Sequence, residues 1–322
     1  MKILASVVAI GAAIAFAGPS AVSAQQTLSI VTGGTGGVYY PLGGGLASIL
    51  TKNLPGVNAT AEVTGGSVDN LKLLGAGRAD VGFSMVDAAL DALNGQDKFR
   101  GAATKVRTLA VLYPNQMHVV TVDGTGIRTM ADLKGKRIST GSTGSATEVM
   151  AFRLIEAAGL DRERDMRRER LGVAESVNAL KDRKIDAFFW VGGIPTAAVT
   201  DLAATPGSKL VLIDHANLVQ AMNAKHGPLY AASEIPAGSY AGQTAGNRNI
   251  SVWNLLVTDE RMSEQTAYTV VKTMFDRLAD MVAVHGEARA FKLENQRADF
   301  AGGVPFHPGA LRFFAERGVR VN

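Results

Sequence analysis

Two α/β lobes are what this sequence predicts, on three observations. From Leu28 to Ser84 short apolar runs alternate with helical patterns, and the same alternation returns from Lys136 to Ile213. Between and after them stand two β-rich stretches, Arg107 to Val122 and Ile250 to Thr258, placed to carry the chain from one lobe to the other and back. Alternation of this kind argues for parallel strands with helices on both faces. The expected division is 25–114 plus 249–322 for one lobe and 115–248 for the other, each with its own sheet.

The first series reads as a strand from Leu28 to Val31, a helix from Pro41 to Lys52 opened by its proline, a strand from Ala59 to Val63, a helix from Val68 to Leu74 and a strand from Asp80 to Ser84. Arg107 to Val122 is a long β-rich stretch broken around Pro114-Asn115. In the second series Lys136 to Ser139 is a strand, Ala146 to Ala158 a helix ended by Gly159, Asp165 to Arg170 a weak strand, and Ala174 to Arg183 a helix. Strands from Asp186 to Val191 and from Lys209 to Ile213 follow. The two series share a plan but too little sequence to be a repeat. Tyr230 to Asn247, rich in Gly, Ala and Pro, reads as irregular; helices from Ser263 to Val284 and from Pro308 to Arg317 finish the chain.

Residues 1–24 read as an export signal: Lys2 is a positive n-region, Ile3 to Ala17 a small and apolar run, and Val22-Ser23-Ala24 a cleavage pattern that leaves Gln25 as the mature N-terminus. The run is interrupted by Gly18-Pro19 and is too short to span a bilayer. The expected location is therefore periplasmic and the mature chain soluble. The absence of cysteine excludes disulfides, thiolate-bound zinc and thiol catalysis. A formal charge of +4, with basic and acidic residues interleaved even in the dense stretch Arg162 to Arg170, reads as solvated surface and argues against a nucleic-acid partner.

Four times an apolar run gives way to a Gly/Ser/Thr cluster that opens a helix. Glycine admits a close approach of backbone to ligand, and hydroxyls with the free N–H groups of a helix's first turn supply donors without a fixed charge. The candidate ligand-binding residues follow from these clusters. After the first strand they are Thr35, Gly36, Gly37, Tyr39 and Tyr40, with one tyrosine expected in the core. After the second they are Gly66, Ser67 and Asn70, Ser67 serving either as a helix cap or toward ligand, and Ser84 closes the third strand beside Asp87, itself a helix cap by the simpler reading. In the second half they are Thr140, Ser142, Gly144, Ser145 and Thr147, then Trp190, Gly192 and Gly193, with Trp190 either facing a cleft or packed on the next helix. Arg137 and Arg248 are second-anchor candidates without a motif of their own.

Enzyme signatures fail on inspection. Gly34-Thr35-Gly36-Gly37-Val38-Tyr39 ends in Tyr where a dinucleotide fingerprint has Gly, Gly135-Lys136-Arg137 lacks the Ser/Thr of a P-loop, and Gly141-Ser142-Thr143-Gly144-Ser145 has Thr where a nucleophile elbow has Ser. The five histidines show no metal-ligand spacing. No catalytic residue, cofactor or metal is expected.

Taken in order, Gly34-Thr35-Gly36-Gly37-Val38-Tyr39-Tyr40-Pro41, Thr64-Gly65-Gly66-Ser67-Val68-Asp69-Asn70-Leu71, Asp132-Leu133-Lys134-Gly135-Lys136-Arg137, Ile185-Asp186-Ala187-Phe188-Phe189 with Gly192-Gly193-Ile194-Pro195, and Phe306-His307-Pro308-Gly309-Ala310 resemble the TAXI-type solute receptors of tripartite ATP-independent periplasmic (TRAP) transporters. Ser145-Ala146-Thr147 departs from that family, which often has Gly before the Thr. The resemblance covers essentially the whole mature chain. It implies a two-domain periplasmic binding-protein fold, two hinged Rossmann-like lobes with the ligand cleft between them. It also implies delivery of a small organic anion or amino acid, glutamate-like or 2-oxoglutarate-like, to a membrane permease. The binding subunit of an ABC or tripartite tricarboxylate transporter and a secreted hydrolase are the alternatives; the hydrolase needs a nucleophile, base and orienter that the sequence does not assemble.

Overall fold

A computed structural model describes residues 25–321; the export signal read at 1–24 lies outside them. The chain opens with β1 (Gln26–Val31), α1 (Tyr39–Asn53), β2 (Val57–Glu62), α2 (Ser67–Gly75), β3 (Val81–Met85) and α3 (Val86–Asn94). β1 pairs in parallel with β2 on one side and β3 on the other, so the two crossovers place their helices against the sheet. β3, a central strand between β1 and the antiparallel strand that closes the lobe, is buried along its whole length.

β4 (Val106–Val122) then leaves the first lobe. The second holds β5 (Arg137–Ser139), α4 (Ala146–Ala157), β6 (Arg167–Glu169), α5 (Val173–Lys181), β7 (Ala187–Gly192), α6 (Ala197–Ala204), β8 (Leu210–Leu212), α7 (Val219–His226) and β9 (Tyr230–Ile235). β10 (Asn247–Asp259) returns the chain to α8 (Glu264–Asp276), α9 (Leu278–Val284) and α10 (Pro308–Glu316).

The expectation of separate sheets is corrected. Ten strands form one hydrogen-bonded sheet, in the order β2-β1-β3-β10-β4-β7-β5-β6, with β8 beside β4 and β9 beside β10. Continuity comes from the two long strands alone, and each changes partners along its length. β10 meets β3 through Asn254 to Val257 and β9 through Asn247 to Val252, while β4 meets β7 only from Gln116 onward. The change falls where Pro114 and Asn115 face Trp253 and Val252, beside a register shift that interrupts the ladder.

Packing follows strand alternation. Phe188 and Phe189, adjacent on β7, belong to different apolar clusters on opposite faces. The larger cluster runs without interruption from Ile30 and Phe83 of the first series to Met150 and Phe189 of the second. The single helix expected from Ser263 to Val284 is two: Arg277, at φ −110° and ψ 28°, separates α8 from α9. The stretch from Tyr230, expected to be irregular, begins with β9, an edge strand held by β10.

Candidate functional site

The loops that follow β1, β2, β5 and β6, with the end of β7, converge on one cavity of about 400 Å³. Four helices begin at its wall: Val38 and Tyr39 open α1, Gly66 and Ser67 open α2, Ser145 and Ala146 open α4, and Gly172 and Val173 open α5. Only α4 is capped by a side chain, Ser145 Oγ accepting from Glu148 N at 3.1 Å; Val38, Gly66 and Gly172 leave the first-turn N–H groups of the others uncapped by any side chain.

The loops are braced from behind and tied to each other in front. Asn70, fully buried, donates to the carbonyls of Thr32 (2.7 Å) and Phe83 (2.8 Å) and accepts from Thr64 Oγ1 (2.6 Å), which locks the β1 and β2 loops together. Gly66 adopts φ +123° and ψ −154°, a region that only glycine occupies without strain. Across the cavity Ser142 Oγ donates to Gly65 O (2.9 Å), Asp69 N to Gly144 O (3.0 Å) and Ala198 N to Gly36 O (3.3 Å). A second set of contacts joins α3 to the later elements. Arg153 of α4 pairs with Asp91 and lies 3.6 Å from Asp87, whose Oδ2 accepts from Tyr230 OH at 2.8 Å. Burial raises both carboxyls, Asp91 to about 6, against the lowering pull of Arg153.

Of the residues expected at a site, nine line the cavity: Gly37, Tyr39, Gly66, Ser67, Ser142, Ser145, Thr147, Trp190 and Gly192. Eight lie outside its wall, each for a physical reason. Thr35 sits exposed at a turn and Tyr40 points outward from the first turn of α1. Gly36 is taken up by its bond to Ala198, and Asn70 by its bracing role. Ser84 is buried and donates to Met85 O, and Thr140 is buried against Glu169 O. Gly144, at φ +81°, has Asp69 where a side chain would stand; Gly193 has Glu287 and Tyr113.

Other readings change as well. Ser67 does not cap α2, since it is the first residue of that helix and its Oγ accepts from Met85 N at 3.1 Å. Asp87 belongs to the buried cluster rather than to a cap. Arg168, in the stretch read as solvated surface, packs its guanidinium 4.7 Å from the Phe152 ring centre, and Arg170 reaches the cavity. Arg137 and Arg248 do not line it; they pair with Asp186 and Asp214.

Sequence reasoning missed Tyr113 and Asn115 of β4, Met85, the run from Arg170 to Val173, and Glu175. A polar Asn amid the apolar residues of a crossing strand was the available signal. Its amide orientation follows from its neighbours. Asn254 Nδ2 donates to Tyr113 O (3.2 Å), so Asn254 Oδ1 is the acceptor that receives Asn115 Nδ2 (2.6 Å) and the Tyr39 hydroxyl. That leaves Asn115 Oδ1 and the Tyr113 hydroxyl buried without partners. Burial also pushes the Tyr39 and Tyr113 hydroxyls well above their ordinary range, so both stay protonated.

Chemically the wall offers N–H groups, hydroxyls and apolar faces. Three of its hydroxyls are engaged in structure: Ser67 and Ser145 as above, and Thr147 Oγ1 as acceptor from Val191 N at 3.3 Å. No histidine or lysine is among the lining residues. Among the described residues no group of three metal-ligating side chains occurs, and no helix is long and apolar enough to cross a membrane.

Several solved structures resemble this one. A protein from Bordetella bronchiseptica RB50 is 17% identical over 90% of this chain and 88% of its own, with a TM-score of 0.52. A periplasmic transporter is 13% identical over 82% and 87%, with a TM-score of 0.53. The periplasmic aliphatic sulphonate binding protein SsuA from Escherichia coli is 16% identical over 90% and 83%, with a TM-score of 0.46. At such identities the likeness concerns the fold, the two-lobed α/β fold of periplasmic binding proteins. Matched by that family's model over residues 30–318, the chain belongs to the NMT1-like family.

Proposed function

We propose that this protein is a periplasmic solute receptor that binds a small organic anion or amino acid between two lobes, 25–114 plus 249–322 and 115–248, and hands it unchanged to a membrane permease. One observation carries the reading: four helix N-termini, two from each side of the β4 and β10 crossings, surround a single cavity. Helix N-termini favour negative charge, and groups from both lobes around one ligand are what closure about a hinge requires. The periplasmic setting is supported by the signal read at 1–24 and by the description of a structural neighbour as a periplasmic transporter. The finer assignment, a TAXI-type receptor of a TRAP transporter, rests on the ordered motifs from Gly34 to Ala310.

Mass spectrometry of the small molecules released on unfolding the purified protein tests the receptor. One organic anion or amino acid near equimolar amounts, recovered unaltered after incubation, is expected. Chemical turnover of that molecule, or no melting shift with any fraction of a metabolite extract, overturns it. Uptake by vesicles carrying either class of permease then separates an ion-gradient system from an ATP-driven one.

A further inference from the structure

The cavity wall is almost uncharged. Its charged residues are Arg170 and Glu175, both exposed, and Arg170 Nε already lies 3.3 Å from Glu148 Oε1. Most of the remaining side-chain surface comes from residues such as Tyr39, Val63, Met85, Leu171, Val173 and Trp190. The helix N-termini can stabilise an anionic group. A second carboxylate would be desolvated against apolar side chains, and the one cation of the wall, Arg170, is exposed and already lies against Glu148, which makes that burial unfavourable.

An independent observation specifies more. Tyr113 and Asn115 line this wall, and the Tyr113 hydroxyl and Asn115 Oδ1 are buried and unpartnered. Because the bonds to Asn254 fix the Asn115 amide, the group left over is an acceptor, and only a donor from outside the protein can satisfy it.

We propose that the occupant is a monocarboxylate with an apolar side chain and a hydrogen-bond donor beside the carboxylate, a 2-amino or 2-hydroxy acid, rather than the dicarboxylate the resemblance implies. The carboxylate takes the helix N-termini, the amino or hydroxyl group takes Asn115 Oδ1 with the Tyr113 hydroxyl, and the side chain lies against Trp190 and Leu171. This deepens the receptor reading and rests on it.

Calorimetry on protein freed of ligand by unfolding and refolding tests it with five probes: leucine, 2-hydroxy-4-methylpentanoate, 4-methylpentanoate, glutamate and 2-oxoglutarate. The first two are expected to bind. 4-Methylpentanoate, which lacks the donor, is expected to bind at least about tenfold more weakly, and the two dicarboxylates at least about a hundredfold more weakly. In Asn115→Leu the gap between the hydroxy acid and 4-methylpentanoate should shrink to about twofold or less. A dicarboxylate binding as tightly as leucine, or no gap for 4-methylpentanoate in the unsubstituted protein, overturns the inference. Failure of all five overturns it too; a melting shift with a metabolite extract would then leave the receptor standing, and no shift would remove both.

Discussion

A Cβ at Gly37 would lie 2.8 Å from Cη2 of Trp190, whose indole is held by its 2.9 Å bond to Thr196 Oγ1. Gly37 is not among the positive-φ glycines, so alanine strains its backbone little, and the clash exists only while the lobes are together. Gly37→Ala should therefore weaken ligand binding about tenfold to a hundredfold, the range of an overpacked contact, while ligand-free stability changes by less than about 0.5 kcal/mol. Calorimetry beside urea unfolding separates the two. Gly66→Ala differs in kind: its φ of +123° makes alanine cost about 1–3 kcal/mol of stability whether or not ligand is present. Thr35, exposed and off the wall, should tolerate valine with affinity unchanged. The histidines add a pH dependence. Burial lowers His118 and His215 to about 4 from an ordinary value of 6.5. Between those values the folded state binds fewer protons than the unfolded chain, so their contribution is whole above pH 6.5 and is lost as pH falls toward 4. Asp87, Asp91 and Glu287, raised by burial, work in the opposite sense at acid pH. His118→Gln should remove about 3 kcal/mol of the difference between unfolding free energies at pH 7 and pH 4.

Two serine caps separate structure from binding among the helices. Ser263 Oγ accepts from Thr266 N at 3.1 Å at the exposed start of α8, and Ser145 makes the same bond to Glu148 on α4 at the cavity. Each alanine substitution should cost about 1 kcal/mol in urea unfolding; only Ser145→Ala should also weaken ligand binding, and equal affinities in the two variants would show that α4's N-terminus takes no part. The elements that sequence revealed are those whose signal is local: the apolar runs of β1, β3 and β7, and the Gly/Ser/Thr loops that open α1, α2 and α4. β9 was hidden because Ala231, Ala232 and Ser233 lack strand alternation and are extended only through pairing with β10. The break at Arg277 was hidden because nothing there is a helix breaker; Ser263 to Val284 reads as one amphipathic run, and packing divides it. At the site, glycine and hydroxyl loops announced nine wall residues. Tyr113 and Asn115 went unseen because a crossing strand contributes to a cavity only once the residues on either side have folded around it, and the Asn254 partner that orients Asn115 is 139 positions away.

For the molecule as a whole, bonds such as Ser142 to Gly65 and Ala198 to Gly36 describe lobes in contact, and ligand joining both should favour that arrangement. Saturation at a hundredfold excess over the dissociation constant should add about 2.7 kcal/mol of stability, together with a smaller radius of gyration in solution scattering. A higher melting temperature at constant radius would mean that the empty protein is already closed. The crossing strands carry a further consequence. Pro114 and Trp253 stand opposite each other in the antiparallel β4–β10 ladder, so the chain leaves the first lobe and re-enters it at one point. The segment between them is thus a loop insertion in the topological sense, its two ends a strand spacing apart. A two-residue Asn-Gly turn could close the hairpin in its place. The inner lobe is in that sense a cassette: exchanged between relatives at this seam, it would replace half of the cavity wall and leave every strand of the outer lobe with its own partners.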